Sequence, residues 1–320
     1  AAIAATPALA NYTDNPKAKA FIDRMVKRHE FDRAELTAAI ANSKKQESVV
    51  KAIKRPAEGK PWAEYQDIFL TDKRRDGGVA FWKEHADTLG RAETEYGVPA
   101  QVIVAILGVE TLYGRHKGTY RVIDTLVTQA FEFPDTSWRS RFGLEQLEAM
   151  FLLAREQGFD PMALMGSYAG AMGYGQFIPT SYRAYAVDFD GDDVADIWNN
   201  PVDAIGSIAN YLQKNGWQRG GDVTVTAQLG KNADPAPVNR ALKADSTLSE
   251  LAAIGYTASQ ELADQPVGVV KLEGKAGTEY WLGLKNYFVI TTYNRSRLYA
   301  MATYQLSEGI KQSLYGYEKE

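Results

Sequence analysis

The sequence predicts a mainly α protein of the α+β class, with one small β element near the C-terminus. Three observations carry that prediction. Helical periodicity and cap signals recur from residue 15 to residue 215. Around residue 222 the texture changes: "DVTVTAQL", "VGVVKLEG" and "YWLGLKNYFVITTY" are rich in β-branched and aromatic residues, with turn residues between them. From 296 to 313 the helical period returns.

The elements follow in order. Residues 15–53 read as helices, with "KAKAFIDRMVKRHE" followed by "DRAELTAAIANS" and Asp32 placed as an N-cap. Gly59-Lys60-Pro61 interrupts the pattern, and Asp76-Gly77-Gly78 interrupts it again before an amphipathic helix at 79–95. Gly97-Val98-Pro99 ends that helix, and Pro99 suits the first turn of the next, "AQVIVAILGVE". Helical signals recur at 143–157, 161–166 and 202–215. The stretch 231–266 carries a Pro-rich turn and one short helix. There is no internal repeat and no low-complexity tract.

Composition narrows the classes. At 320 residues the chain accommodates two or three domains, and 45% apolar with 24% charged residues is a water-soluble globular balance. The 40 acidic and 36 basic residues are mixed, so no basic block points to nucleic acid. No apolar run approaches the roughly 18 residues of a membrane span. The absence of cysteine excludes disulfides, thiolate metal sites and cysteine nucleophiles, and it argues against a lipid-anchored cysteine. His29, His85 and His116 are scattered and form no ligand pair. The opening "AAIAATPALA" reads either as a frayed terminus or as a signal remnant ending in A-x-A, so residues 1–11 are set aside as a disordered terminus or signal remnant.

One residue breaks the core-like run. On a helix starting near 100, Ile103, Ile106, Leu107 and Glu110 share a face. A carboxyl in that stripe, near the negative end of the helix dipole, is pushed toward its protonated form, as a general acid requires. The alternative is an exposed Glu110 on the last turn, paired with Arg115. A second stretch, "GSYAGAMGYGQFIPTSY" at 166–182, interleaves four glycines in ten residues with aromatic and polar groups. Glycines remove side chains where a ligand approaches backbone, and aromatic faces suit the apolar faces of sugars. The alternative there is an irregular core loop.

A third stretch, "DFDGDDVADIWNNPVD" at 188–203, places Asp188, Asp190 and Asp192 at alternate positions, like positions 1, 3 and 5 of an EF-hand loop, with the Val194 carbonyl at position 7. It departs from that consensus with Asp193 at position 6 and Asn199 at position 12. Hard oxygen ligands favour Ca²⁺ in a structural role; the alternative is a solvated acidic turn capping the helix at 202.

Together, G-V-E-T at 108–111 and G-A-M-G-Y-G-Q-F at 170–177, with the acidic loop and the Tyr-Asn pair of "YFVITTYNRSRLYAMATYQL" at 287–306, resemble the lysozyme-like lytic transglycosylases that cleave peptidoglycan. The resemblance is closest to the lytic transglycosylase B family and covers about 97–216 and 287–306. It implies a lysozyme-like catalytic core with an additional helical lobe and a small inserted β domain. The divisions expected are a lobe at 12–96, a core at 97–218 holding the loop 188–203, a β domain at 219–286, and a return to the core with a C-terminal helix at 287–320.

The resemblance further implies that Glu110 is a single catalytic acid and base, with no cofactor for catalysis. The glycosidic bond between N-acetylmuramic acid and N-acetylglucosamine is cut without water, leaving a 1,6-anhydro end. Ser167, Gln176, Phe177, Tyr211, Tyr293, Asn294 and Tyr299 match groove residues, and Arg139 matches a groove arginine; for Tyr211 a plain core role and for Arg139 a solvated surface role stand beside this. The family's loop closes its metal site with Asp203, and Asp196 competes here because this loop reads one residue longer. The expected partner is the peptidoglycan glycan strand, with cell-wall synthases as candidate protein partners, and the expected location is the periplasm, in soluble form. The competing functions are a hydrolytic muramidase, which would need a second positioned carboxylate, and a non-catalytic peptidoglycan-binding scaffold.

Overall fold

A computed structural model describes residues 12–54 and 59–316; the terminus or signal remnant expected at 1–11 lies outside the described residues. In chain order, the first helices are α1 (Pro16–His29), α2 (Arg33–Ala41), α3 (Glu47–Lys54), α4 (Trp62–Phe69), α5 (Asp72–Glu84), α6 (Ala86–Tyr96) and α7 (Ala100–Thr111). Then come β1 (Tyr120–Arg121), α8 (Val122–Glu132), α9 (Trp138–Gln157), β2 (Met165–Gly166), α10 (Pro179–Tyr185) and α11 (Pro201–Lys214). The β-rich part runs through β3 (Thr224–Leu229), β4 (Ser246–Thr247), α12 (Leu248–Ala253), β5 (Tyr256–Ala258), β6 (Pro266–Gly274) and β7 (Gly277–Gly283), and α13 (Lys285–Tyr293) and α14 (Arg297–Tyr315) close the chain. The mainly α, α+β expectation holds, and no described helix is long and apolar enough to cross a membrane.

The described residues divide into two compact units, one of 12–54, 116–186 and 191–200, the other of 59–115, 187–190 and 201–316. These units cut across the divisions expected from sequence. Within the units α5 and α6 pack on α7, and α1 and α3 pack on α8.

In the first unit α8 lies against α9, and Gly143 of α9 makes the approach close, since a Cβ there would overlap the Ala130 backbone. Buried Asp124 ties α8 to the segment after α2. It accepts two hydrogen bonds from Arg121 at 3.0 and 2.8 Å and one from the Lys44 N–H at 2.8 Å. In the second unit α7 is central, with residues 102–109 all buried and α5, α6, α11 and α14 packed around it. That explains the nearly unbroken apolar run: a helix covered on all sides needs no polar face. The five-stranded sheet has the order β4-β6-β7-β3-β5, antiparallel throughout. It has its own core of Val225, Leu251, Tyr256, Val267, Val269 and Leu282, and a Thr247–Glu250 capping box starts α12.

Several local readings are confirmed. The Asp32 carboxylate accepts from Glu35 N–H at 2.9 Å as N-cap of α2, and Gly97 ends α6 at φ +73°. Three others are corrected. The helix expected to begin at 79 begins at 72 and runs through Gly77-Gly78 as α5, because those glycines seat an aromatic ring rather than break the chain. The stretch 161–166 is a turn followed by β2, not a helix. "YWLGLKNYFVITTY" is strand only to Gly283; from Lys285 it is the helix α13, whose β-branched residues sit in the helical core.

Candidate active site

Glu110 lies in the last turn of α7. The helix is primed at its other end by the Glu93 carboxylate, which accepts from the Ala100 N–H at 3.1 Å; Pro99 stands at the N-cap, one position earlier than the first turn. Ile103, Ile106 and Leu107 are fully buried, and Glu110 is half-buried beside them. Its Oε1 accepts a hydrogen bond from the Tyr299 hydroxyl at 2.6 Å. No ion pair joins it to Arg115 among the described residues, and Arg115 is exposed. Burial raises the Glu110 carboxyl from 4.5 to about 7, against the smaller opposing effect of the Tyr299 hydrogen bond.

Tyrosines surround this acid. The Tyr293 and Tyr299 rings lie nearly parallel with centroids 6.3 Å apart, and the Tyr211 ring meets Tyr293 edge-on at 4.7 Å. The Tyr211 hydroxyl donates to the Thr292 carbonyl at 2.7 Å, which places this ring both in the core and against the cluster. Burial first, and the Glu110 charge second, hold the Tyr293 and Tyr299 phenols well above their usual range. Tyr65 of α4 is raised by the same two causes, burial and the Glu110 charge. It was not singled out in the sequence, because nothing in α4 marks it. Asn294 is exposed at the end of α13.

The chain around Glu110 ends its helix unusually. Leu112, Tyr113 and Gly114 all have left-handed backbones, at φ +51°, +60° and +83°, and two of the three are not glycine. The Tyr113 ring fills space that only glycine leaves open. A Cβ at Gly77, Gly78 or Gly108 would come within 2.9, 2.6 and 2.5 Å of it. Its hydroxyl donates to the Arg74 carbonyl at 2.6 Å, and the Arg74 Nε donates to the Gly108 carbonyl at 3.1 Å. The sequence reading missed Arg74 and Tyr113 as well; the one signal available was the pair Gly77-Gly78 inside an otherwise helical pattern.

The other expected groove residues lie in the first unit. Ser167 Oγ accepts from the Ala169 and Ala171 N–H groups at 3.2 and 3.1 Å. Gln176, at φ +52°, donates through Nε2 to the Gly173 and Lys117 carbonyls at 2.9 and 3.3 Å, and Phe177 is buried. The glycines here answer a different need from the one expected. At Gly166 and Gly173 a Cβ would overlap the carbonyls of Ala171 and Ile197, so it is the protein's own backbone that approaches. Arg139 is half-buried with its guanidinium 4.0 Å over the exposed Trp138 ring.

In the acidic loop, Asp188, Asp190, Asp192 and Asp203 each offer a carboxylate oxygen within 4.8 Å of the others. Asp203 is buried at the first turn of α11 and accepts from the Phe189 N–H at 2.7 Å. Asp193, where an EF-hand has glycine, adopts the same left-handed backbone at φ +71°. Asp196 is outside the cluster: its Oδ1 accepts from the Trp198 and Asn199 N–H groups at 2.9 Å. The Val194 carbonyl accepts from the Asp196 N–H at 3.1 Å. Four hard oxygen donors in one cluster fit a Ca²⁺ ion.

Comparison with known proteins matches residues 13–308 to the transglycosylase SLT domain family. Membrane-bound lytic murein transglycosylase B of Escherichia coli is 41% identical over 311 residues, 94% of this chain and 84% of that protein. Among solved structures, the catenated lytic transglycosylase SltB1 of Pseudomonas aeruginosa is 45% identical with a TM-score of 0.91, covering 95% of this chain and 99% of that one. The Escherichia coli lytic transglycosylase Slt35 in complex with calcium is 40% identical with a TM-score of 0.86, covering 95% and 96%.

Proposed function

From the premise that this chain belongs to the transglycosylase SLT domain family and is a lytic transglycosylase acting on peptidoglycan, we propose that Glu110 alone serves as its acid and base. One observation carries the assignment. The Glu110 carboxyl, held protonated up to about neutrality by burial, is clasped by the Tyr299 hydroxyl at 2.6 Å, with the Tyr293 ring stacked beside that of Tyr299. Ordinary retaining and inverting glycosidases use two carboxyls roughly 5–9.5 Å apart, and the lytic transglycosylase relatives disfavour the hydrolytic muramidase. The presence of the acid disfavours the scaffold.

Tyr299 donates to Oε1, so the Glu110 proton sits on Oε2. That proton passes to the glycosidic oxygen as its bond to C1 of N-acetylmuramic acid breaks, and N-acetylglucosamine leaves with a free hydroxyl. The carboxylate left behind is stabilised by the Tyr299 hydroxyl. It then takes the proton of the muramic C6 hydroxyl as that oxygen bonds to C1. The 1,6-anhydro ring closes and Glu110 is protonated again, so the cycle consumes no water. The buried Tyr299 ring, with the half-buried Tyr293 stacked beside it, limits the access of bulk water to the carboxyl. Ser167, Gln176, Phe177, Tyr211, Asn294 and Arg139 are assigned to the glycan groove, with 97–218 as catalytic core, 219–286 as inserted β domain and 287–320 as the return.

The acidic loop is assigned to structural Ca²⁺, held by Asp188, Asp190, Asp192, Asp203 and the Val194 carbonyl. The donor set supports this, as does the calcium complex of Slt35. Peptidoglycan substrate puts the enzyme in the periplasm, where cell-wall synthases are the expected partners. The test is mass spectrometry of products released from purified sacculi, before chemical reduction. Muropeptides lighter by one water, with anhydro ends, are expected; reducing ends would establish hydrolysis instead.

A further inference from the structure

The end of α7 is closed by a ring of contacts through two side chains that touch no reacting atom. The Leu107 carbonyl accepts from the Tyr113 N–H at 3.1 Å, and the Gly108 carbonyl accepts from the Leu112 N–H at 3.3 Å and from Arg74 Nε. Arg74 also donates to the Ile68 carbonyl, and the Arg74 carbonyl in turn accepts the Tyr113 hydroxyl. Gly114 N–H closes the turn onto Thr111 Oγ1 at 2.9 Å. Glu110 sits inside this ring, two residues after Gly108 and three before Tyr113. The fold keeps glycine at three helix positions, 77, 78 and 108, to seat the Tyr113 ring, although glycine weakens a helix interior. It also holds Leu112 and Tyr113 in a backbone region that L-residues avoid.

Resting on the assignment of Glu110 as acid and base, we propose that Tyr113 and Arg74 are positioning residues that lock the left-handed end of α7 and so hold the Glu110 carboxyl against Tyr299. Arg74 acts through the backbone and not by its charge. Burial and the Tyr299 hydroxyl from α14 bear on the carboxyl's proton, the Glu110 charge in turn acts on Tyr293 at the end of α13 and on Tyr65 of α4, and Arg74 acts electrostatically on Tyr113. A helix terminus released from this ring would let the last turn unwind by a fraction of a residue, and the carboxyl would leave its place. Misplacement by about 1 Å is enough to cost roughly a hundredfold in rate.

The test uses Tyr113→Phe, which deletes only the hydroxyl bond to Arg74, and Arg74→Lys, which keeps the charge but loses the Nε contact to Gly108. Turnover on sacculi is measured against pH, normalised to folded enzyme, beside Glu110→Gln. Both positioning variants are expected to lower kcat by roughly tenfold or more, with KM within about twofold. The alkaline limb of their kcat profile is expected to move to lower pH, as a carboxyl freed into solvent loses its proton sooner. Native kcat and an unmoved limb in both variants would overturn the proposal. So would a loss that tracks only the fraction folded. An active Glu110→Gln would instead sink the assignment of the acid itself, whatever the positioning variants do.

Discussion

Two places in this molecule concentrate carboxyl chemistry, and they solve opposite problems. At the end of α7 one carboxyl stands among buried tyrosines, and burial pushes it up to about 7. In the loop at 188–203 four carboxylates converge within 4.8 Å, and only Asp203 of the four is buried. The first site makes ionisation costly, so a proton stays and is available to give. The second brings like charges together, a repulsion that a bound cation removes. The same carboxyl group is thus suited to an acid's role where it stands alone and desolvated, and to a cage's where it is crowded and mostly wet.

The sharpest way to break the comparison is Glu110→Gln. The amide keeps the shape and can still accept from Tyr299, but it has no proton to cycle. Turnover on sacculi is expected to fall by about 10²–10⁴-fold or more. Stability should move the other way. A carboxyl whose folded value lies above 4.5 leaves the fold at full stability below that pH, and stability is lost as the pH rises through about 7. Thermal melts should therefore show Glu110→Gln more stable than the native protein at pH 8 by about 1–3 kcal/mol, with the gap closing toward pH 4. A gap between variant and native protein that is the same at both pH values would mean the acid is not held in a desolvated place.

The loop is sharpened by chelation. If calcium sits among the four aspartates, saturating ion at about a hundred times its Kd stabilises by about 2.7 kcal/mol, and a chelator should lower the Tm accordingly. Asp203→Asn is the diagnostic variant. Its side-chain oxygen can still accept from the Phe189 N–H, so local structure survives while one charge is lost. Its Tm should respond little to calcium, and its kcat per folded molecule should stay native, since the proton cycle proposed for Glu110 does not pass through the ion. A fall in kcat with an unchanged Tm would give the ion a catalytic role.

The difference between the two sites also explains what was legible in the sequence. Glu110 stood out because an acid interrupts an apolar run, and the aspartates because their alternate spacing is local. Caps were legible for the same reason: Asp32 and Gly97 act within a few residues of themselves. What the sequence hid depends on partners far along the chain. Gly77-Gly78 reads as a break until the ring of Tyr113, more than thirty residues on, occupies the space. The glycines at 166 and 173 read as room for a ligand until the Ala171 and Ile197 carbonyls fill it. The apolar β-branched run after Gly283 reads as strand until its burial among helices turns it into α13. Tyr65 and Arg74 carry no local mark at all.

The smallest expected effect separates burial from hydrogen bonding at Glu110 itself. The two act in opposite directions: burial raises the carboxyl, and the Tyr299 hydroxyl, by favouring the anion, lowers it. Tyr299→Phe removes the second and largely keeps the first, because the ring remains. The proton should then be held more tightly, so the alkaline limb of the kcat profile moves to higher pH, the reverse of the shift expected for Tyr113→Phe. Turnover should fall only severalfold, since the hydroxyl bonds the neutral acid as well as its anion and the bond strengthens by only about 1 kcal/mol when the proton leaves. A limb that moves to lower pH would show that Tyr299 matters chiefly as a lid against water. The balance at Glu110 would then be set by exclusion of solvent, with the hydroxyl contributing little.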